Sequence, residues 1–248
     1  MIQKCIRHGR KHMEKPIISI VVPTFNCASE LKKTLESLRK QEYTGFECLI
    51  VDGNSTDDTV IVAEEYKSKV NFSITILVGK DKGIYDAMNK GVQLAQGKYI
   101  QFLGAGDTLV DSTTLKNVAE FCEKDKFDVI YGYVNIDGYA GKTIKNKINF
   151  FTSFRYRPIC HQAIYAKNEL LKKFPFQLKY KYVADQDWIM KTYACHAKYK
   201  YIEIPIANYN LNGFSSTEQG KREGRKEIME AKRNAFPLQY ALIRLFKK

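Results

Sequence analysis

At 248 residues the chain is long enough for one large α/β domain or two small ones, and hydrophobic residues at 44% support a real core. The net charge of +13 sits at the ends: residues 1–15 carry five Lys/Arg against one acid and residues 221–248 nine against three, so the body is near neutral. That distribution argues against a nucleic-acid-binding surface. No stretch approaches the roughly 18 apolar residues of a spanning helix, no apolar secretory core follows Met1, and the six cysteines lack C-x-x-C or zinc spacing. These features predict free thiols and a cytosolic chain.

Strand and helix signals alternate through the first half. Residues 17–22 form a short apolar run closed by Pro23, the pattern of a buried parallel strand. Leu31, Leu35 and Leu38 recur at helical spacing, with Asn26 and Ser29 as candidate caps. A second buried strand over 46–51 ends at Asp52-Gly53. Ser55 or Thr56 then caps a helix through Tyr66, with Asp57 and Asp58 in its first turn. A strand over 73–78, a helix over 84–95 between Gly83 and Gly97, and a strand over 99–103 follow. Next come a helix over 112–124 and a strand over 128–133. Beyond residue 134 an antiparallel excursion turning at Gly138 and Gly141 is expected, then a strand over 163–166, a helix over about 185–194 and a strand over 200–204.

The order β-α-β-α-β-α-β predicts a mostly parallel, wound sheet. In such sheets a ligand lies at the carboxyl ends of the strands. The polar exceptions of this sequence fall there: Pro23-Thr-Phe-Asn26, Asp52-Gly-Asn-Ser-Thr-Asp57, Asp81 and Asp107 follow four successive strands.

Four blocks occur in a familiar order and spacing: Ile18-Ser-Ile-Val-Val-Pro-Thr-Phe-Asn26, Leu49-Ile-Val-Asp-Gly-Asn-Ser-Thr-Asp-Asp-Thr59, Asp81-Lys-Gly-Ile-Tyr-Asp-Ala-Met-Asn-Lys-Gly91 and Gly97-Lys-Tyr-Ile-Gln-Phe-Leu103. From about residue 17 to 205 the chain resembles the family-2 inverting glycosyltransferases of the GT-A fold, of the bacterial polysaccharide-building kind. The resemblance implies a Rossmann-like nucleotide-binding half. Pro23, Thr24, Phe25 and Asn26 would wrap base and ribose, with Asp52 accepting a hydrogen bond from the base. Asp81 and Gly83 would complete that pocket. Asn89 and Lys90 would donate toward ribose or phosphate.

By the same resemblance Asp107 is the metal ligand, for Mn²⁺ or Mg²⁺ bridging the donor's phosphates. The family pattern places two acidic residues there, whereas this chain reads Gly104-Ala-Gly-Asp107 and keeps one. The ion would then be held mainly by the phosphates or by a further side chain. His161, in Cys160-His-Gln-Ala163, is the candidate second ligand or phosphate donor.

Val183-Ala-Asp-Gln-Asp-Trp188 resembles the family's acidic motif at a helix start, which makes Asp185 the general base that takes the acceptor hydroxyl's proton. Asp187 is the runner-up, and Trp188 either stacks on a sugar or fills core. An inverting transfer needs no enzyme nucleophile. The partners implied are a nucleotide diphosphate-sugar, uridine being the family's commonest choice, and a saccharide acceptor, which a lipid could carry.

Three regions are expected: a basic extension over 1–15, the catalytic domain over 16–215 and a basic amphipathic helical tail over 216–248. The tail mixes Lys232, Arg233, Arg244, Lys247 and Lys248 with Phe236, Leu242, Ile243 and Leu245. Such a helix either caps the domain or lies on an anionic membrane, at its inner face. A dinucleotide oxidoreductase would need G-x-G-x-x-G after the first strand, and there is none. A nucleotidyltransferase would want a basic, glycine-rich loop there. A non-catalytic sugar-binding or scaffold protein is the alternative from another class.

Overall fold

A computed structural model describes residues 5–6, 15–139, 141–149, 159–211 and 218–237. Its strands are β1 (Cys5–Ile6), β2 (Ile18–Thr24), β3 (Phe46–Asp52), β4 (Ser73–Val78), β5 (Tyr99–Phe102), β6 (Thr108–Leu109), β7 (Val129–Ile136), β8 (Thr143–Ile144), β9 (Ile164–Lys167) and β10 (Tyr199–Tyr209). They build one sheet in the order β1-β4-β3-β2-β5-β9-β7-β10-β6, with β8 beside β7. The β4-β3-β2-β5 block is parallel throughout. From β2 the chain steps outward to β3 and β4, then jumps back across β2 to β5. The cleft where that direction reverses is where open α/β sheets bind ligands.

The helices are α1 (Ala28–Arg39), α2 (Thr59–Tyr66), α3 (Ile84–Leu94), α4 (Thr114–Glu123), α5 (Asn168–Lys173), α6 (Ala184–Ala194) and α7 (Glu218–Ala235). They cover both faces of the sheet, which is why β2 and β3 are buried at every position and read as unbroken apolar runs. Ile18, Ile20 and Val22 of β2 pack with Leu31, Leu35 and Leu38 of α1 on one face. Val21 points the other way, toward Met88 and Val92 of α3. The second core also takes Trp188 and Ile189 of α6 and Ile228 and Ala231 of α7.

The second half of the sheet is mixed. β9 runs antiparallel to both β5 and β7, β10 runs parallel to β7, and β6 and β8 pair antiparallel at its margin. The expected antiparallel excursion is therefore the β7–β8 pair.

Several boundaries differ from expectation for local reasons. α2 starts at Thr59, not at 55 or 56, because Ser55, Thr56 and Asp57 bond across to the loop after β2 instead of turning into a helix. Asp57 accepts the N–H of Ala28 and so serves the start of α1, while Cys27, not Asn26 or Ser29, is the residue before that helix. α7 begins at Glu218, inside the helical tail expected over 216–248, and its buried side is Gly220, Gly224, Ile228 and Ala231. Residues 238–248, and all of the 1–15 extension except 5–6 and Lys15, lie outside the described residues. No described helix is long and apolar enough to cross a membrane.

Candidate active site

The loops after β2 and β3 are laced together around one carboxylate. Asp52, 1% exposed, accepts hydrogen bonds from Thr24 Oγ1 (2.9 Å), Ser55 N (2.7 Å) and Ser55 Oγ (2.6 Å). Asn26, at φ 48°, donates its N–H to Ser55 Oγ (2.8 Å) and accepts from Thr56 N (2.8 Å). Beside them Phe25 is 64% exposed at the carboxyl edge of the sheet, the exposed ring that sequence reasoning assigned to a base. A Cβ added at Gly53 would lie 2.8 Å from Asp81 Oδ2 and 3.3 Å from the Phe25 ring. Phe25, the Gly53 backbone and Asp81 therefore form one wall, with Pro23 and Thr24 at its root. Asp81 is fixed by the N–H of Gly83 (2.9 Å), whose φ of 113° is the glycine requirement here.

On α3 the structure departs from expectation. The Asn89 amide is spent on backbone, donating to Phe176 O (2.9 Å) and accepting from Phe176 N (3.0 Å). Lys90 Nζ bonds the Lys80 carbonyl (2.8 Å) and pairs with Asp86 (3.1 Å). These bonds tie α3 to the 174–177 segment and to the loop after β4. A helical face reads the same from sequence whether it binds a ligand or a neighbouring loop.

The remaining candidates meet across the sheet edge. Asp107, 4% exposed, accepts from Asn210 N (2.8 Å) and Gln162 Nε2 (3.0 Å). Burial raises its carboxyl above the ordinary range, against those two bonds. His161 Nδ1 lies 3.1 Å from Asp185 Oδ2. Asp185 also accepts from Tyr85 OH (2.9 Å), Gln186 N (2.9 Å) and Gln186 Nε2 (3.3 Å). Burial alone would raise the Asp185 carboxyl, but its bonds to His161, Tyr85 and Gln186 outweigh burial and hold it below its ordinary value. It is a carboxylate at neutral pH. Tyr85 is pushed well above the ordinary tyrosine range, by burial first and then by Asp185, so it remains a donor.

A divalent ion is implied by the fold, and the donor set admits it in a limited way. Among the described residues no three His, Cys, Asp or Glu side chains converge as a ligand cluster. His161 bonds Asp185, and Asp107 bonds Gln162 and Asn210. Yet Asp107 has two of about four lone-pair positions in use. A Cβ at Gly104 would fill the space 2.8 Å from its Oδ2. That cradle fits one carboxylate contact to an ion whose other ligands come from phosphate.

Asp187 turns away from this cluster, whereas Trp188 lines the same small cavity as His161 and Asp185. Asp187 is 1% exposed and pairs with Lys191 Nζ at 2.6 Å, burial raising its carboxyl. Trp188 fills core near Phe176, with centroids 6.4 Å apart. Tyr85, Gln162, Gln186 and Asn210 were not singled out from sequence. The Tyr85 and Gln162 positions sit inside quoted motifs, and their pairing with Asp185 and Asp107 was the missing signal.

A wound sheet with Phe25, Gly53 and Asp81 together at its reversal point, and two buried carboxylates held by one turn, outlines a polar ligand cleft, and comparison with known proteins gives the family. The model of glycosyl transferase family 2 matches residues 19–186, and the chain belongs to that family. It is a glycosyltransferase of mixed α/β GT-A architecture. It is 33% identical over 243 residues to the PGL/p-HBAD biosynthesis glycosyltransferase of Mycobacterium tuberculosis, covering 95% of this chain and 93% of that protein. It is 29% identical over 188 residues to the poly(ribitol-phosphate) β-N-acetylglucosaminyltransferase TarS of Staphylococcus aureus, covering 71% of this chain and 32% of that protein. The structure of TarS residues 1–349 with UDP-GlcNAc aligns with a TM-score of 0.69 at 24% identity, covering 90% of this chain and 68% of that one. A Pyrobaculum calidifontis mannosyltransferase with GDP-Man and Mn²⁺ aligns at 0.70 and 15% identity, covering 88% of this chain and 63% of that one. The relatives are named as glycosyltransferases, which sets aside the scaffold alternative.

Proposed function

We propose that the chain transfers a sugar from a uridine diphosphate donor to an acceptor hydroxyl by single displacement, with Asp185 taking the hydroxyl's proton. The observation that carries this is that Asp107 and Asp185 are held by consecutive residues, Gln162 and His161, while Asp185 also accepts from Tyr85, two residues past the Gly83 that fixes Asp81. Phe25 would stack on the base, and Asp81 would accept from base or ribose. Asp52 supports that wall from beneath. Asp107 would hold Mn²⁺ or Mg²⁺ against the donor's phosphates; when bound, such an ion neutralises the leaving diphosphate. A general base at Asp185 contributes roughly 10²–10⁴-fold.

TarS was solved with UDP-GlcNAc, which supports the choice of uridine, and its name, a poly(ribitol-phosphate) transferase, supports a polymeric acceptor. The basic, apolar sequence Leu242–Lys248 suits peripheral contact with an anionic membrane. Incubation with a panel of nucleotide sugars, followed by NMR of the first-formed product, tests the proposal. Turnover of a uridine donor with inversion at the anomeric carbon is expected; retention would rule out single displacement.

One observation favours a second assignment of the proton. The 3.1 Å contact between His161 Nδ1 and Asp185 Oδ2 requires the proton on Nδ1 when Asp185 is ionised, which leaves Nε2 as a base oriented by the carboxylate. His161→Ala then abolishes transfer as fully as Asp185→Asn; under the first assignment it costs much less.

A further inference from the structure

The corner that presents Asp185 is held from outside its own helix. Helix α6 begins at Ala184, and the N–H groups of Lys181 and Tyr182 lie just ahead of it. Both are taken by one side chain on α7: Glu227 Oε1 accepts from Lys181 N (2.8 Å) and Oε2 from Tyr182 N (2.9 Å). The same face of α7 continues the grip. Lys179 pairs with Glu230 (2.6 Å), and Asn234 Nδ2 donates to Tyr180 OH (3.2 Å). α7 packs close by at Gly224, where a Cβ would sit in ordinary contact 3.4 Å from Val183 and 3.6 Å from Tyr182. Residues 224, 227, 231 and 234 recur at helical spacing on one side. Ile228 and Ala231 lock that side into the core shared with Val183, Ala184 and Trp188.

A carboxylate bidentate to two successive backbone N–H groups is a strong, directional clamp. It fixes Lys181 and Tyr182, and through Val183, whose carbonyl accepts the first helical bond from Asp187 N (2.9 Å), it sets the direction in which Asp185 leaves the backbone.

We propose that Glu227 is a positioning residue for Asp185, so that α7 is part of the catalytic apparatus and not only a cover for the core. The proposal rests on Asp185 acting in proton transfer, directly or through His161. Glu227 touches neither substrate nor reacting atoms. Its removal acts on the step that needs Asp185 in register and leaves the nucleotide wall, built on β2, β3 and the loop after β4, untouched.

The test uses the full chain with Glu227→Ala, Glu227→Gln, Asp185→Asn and the double variant Asp185→Asn/Glu227→Ala. In Glu227→Ala, kcat falls by about 10- to 100-fold, the cost of a misplaced catalytic group. Donor KM and UDP affinity stay within twofold or so of wild type. Hydrogen exchange at the Lys181 and Tyr182 amides accelerates. Glu227→Gln, which keeps an acceptor oxygen, recovers part of kcat. In the Asp185→Asn background, Glu227→Ala costs little further, because the two residues act as a unit. An unimpaired Glu227→Ala beside an inactive Asp185→Asn overturns the positioning role alone. The same holds for a loss that multiplies in full in the double variant. Full activity of Asp185→Asn overturns the proton-transfer role and the positioning proposal with it.

Discussion

Asp107 and Asp185, distant in sequence, are gripped by neighbouring side chains of one short turn, Gln162 donating to the first (3.0 Å) and His161 to the second (3.1 Å). The turn over His161–Ala163 leads straight into β9, which is hydrogen-bonded between β5 and β7, so the spacing of the two carboxylates is set by the sheet. Gln162 is itself anchored, its carbonyl accepting from Gln101 Nε2 of β5 at 2.6 Å. Metal and proton chemistry would thus share one rigid support.

Gln162→Ala leaves Asp107 buried with one fewer donor. A lost hydrogen bond to a buried carboxylate lowers stability by about 1–3 kcal/mol. Denaturant unfolding should register that loss, while Gln162→Glu, which sets two carboxyl groups against each other, should cost more.

Phe25 is exposed and packs on little, so Phe25→Ala should leave the melting temperature unchanged. If it stacks on the base, UDP affinity falls by roughly 5- to 150-fold, the equivalent of about 1–3 kcal/mol of base–aromatic stacking. Calorimetric titration with UDP gives the answer directly, and an unchanged Kd removes Phe25 from the donor pocket.

Much of this arrangement was legible beforehand. Unbroken apolar runs placed the parallel strands and period-3.6 patterns the helices between them, because the strands face cores on both sides of the sheet. Placing polar residues at the carboxyl ends of four strands located the cleft. Three features were not legible. Asn89 and Lys90 carry the right chemistry, yet their partners, the Phe176 backbone and the Lys80 carbonyl, are loop atoms that local pattern does not encode. Tyr85 reads as a core aromatic until Asp185, contributed by a distant helix, is placed against its hydroxyl. A helical tail was expected over 216–248, but which side of Glu218–Ala235 packs, marked by Gly220 and Gly224, shows only once the helix meets the rest of the chain.

The low pKa of Asp185 has a stability consequence with a definite sign. Its folded value lies below the ordinary 3.8, so its stabilisation is complete above that value and is lost as pH falls through the folded one. The melting-temperature gap between wild type and Asp185→Asn should be widest near neutral pH and should close in strong acid. A gap that widens on acidification contradicts the hydrogen-bonded, ionised state of Asp185.

For the ion, binding can be read without turnover. With UDP present, Mn²⁺ bound to the wild-type chain should be visible by electron paramagnetic resonance, and Asp107→Asn should weaken it while leaving metal-free UDP binding in place. Equal Mn²⁺ affinity in the variant would place the ion elsewhere.

The most direct measurement compares kcat of wild type and Asp185→Asn with a uridine diphosphate sugar, alongside UDP affinity for both. Asp185 as the proton acceptor predicts a fall in kcat of roughly 10²–10⁴-fold with UDP affinity nearly intact. Transfer at the wild-type rate by Asp185→Asn would contradict the account at its centre.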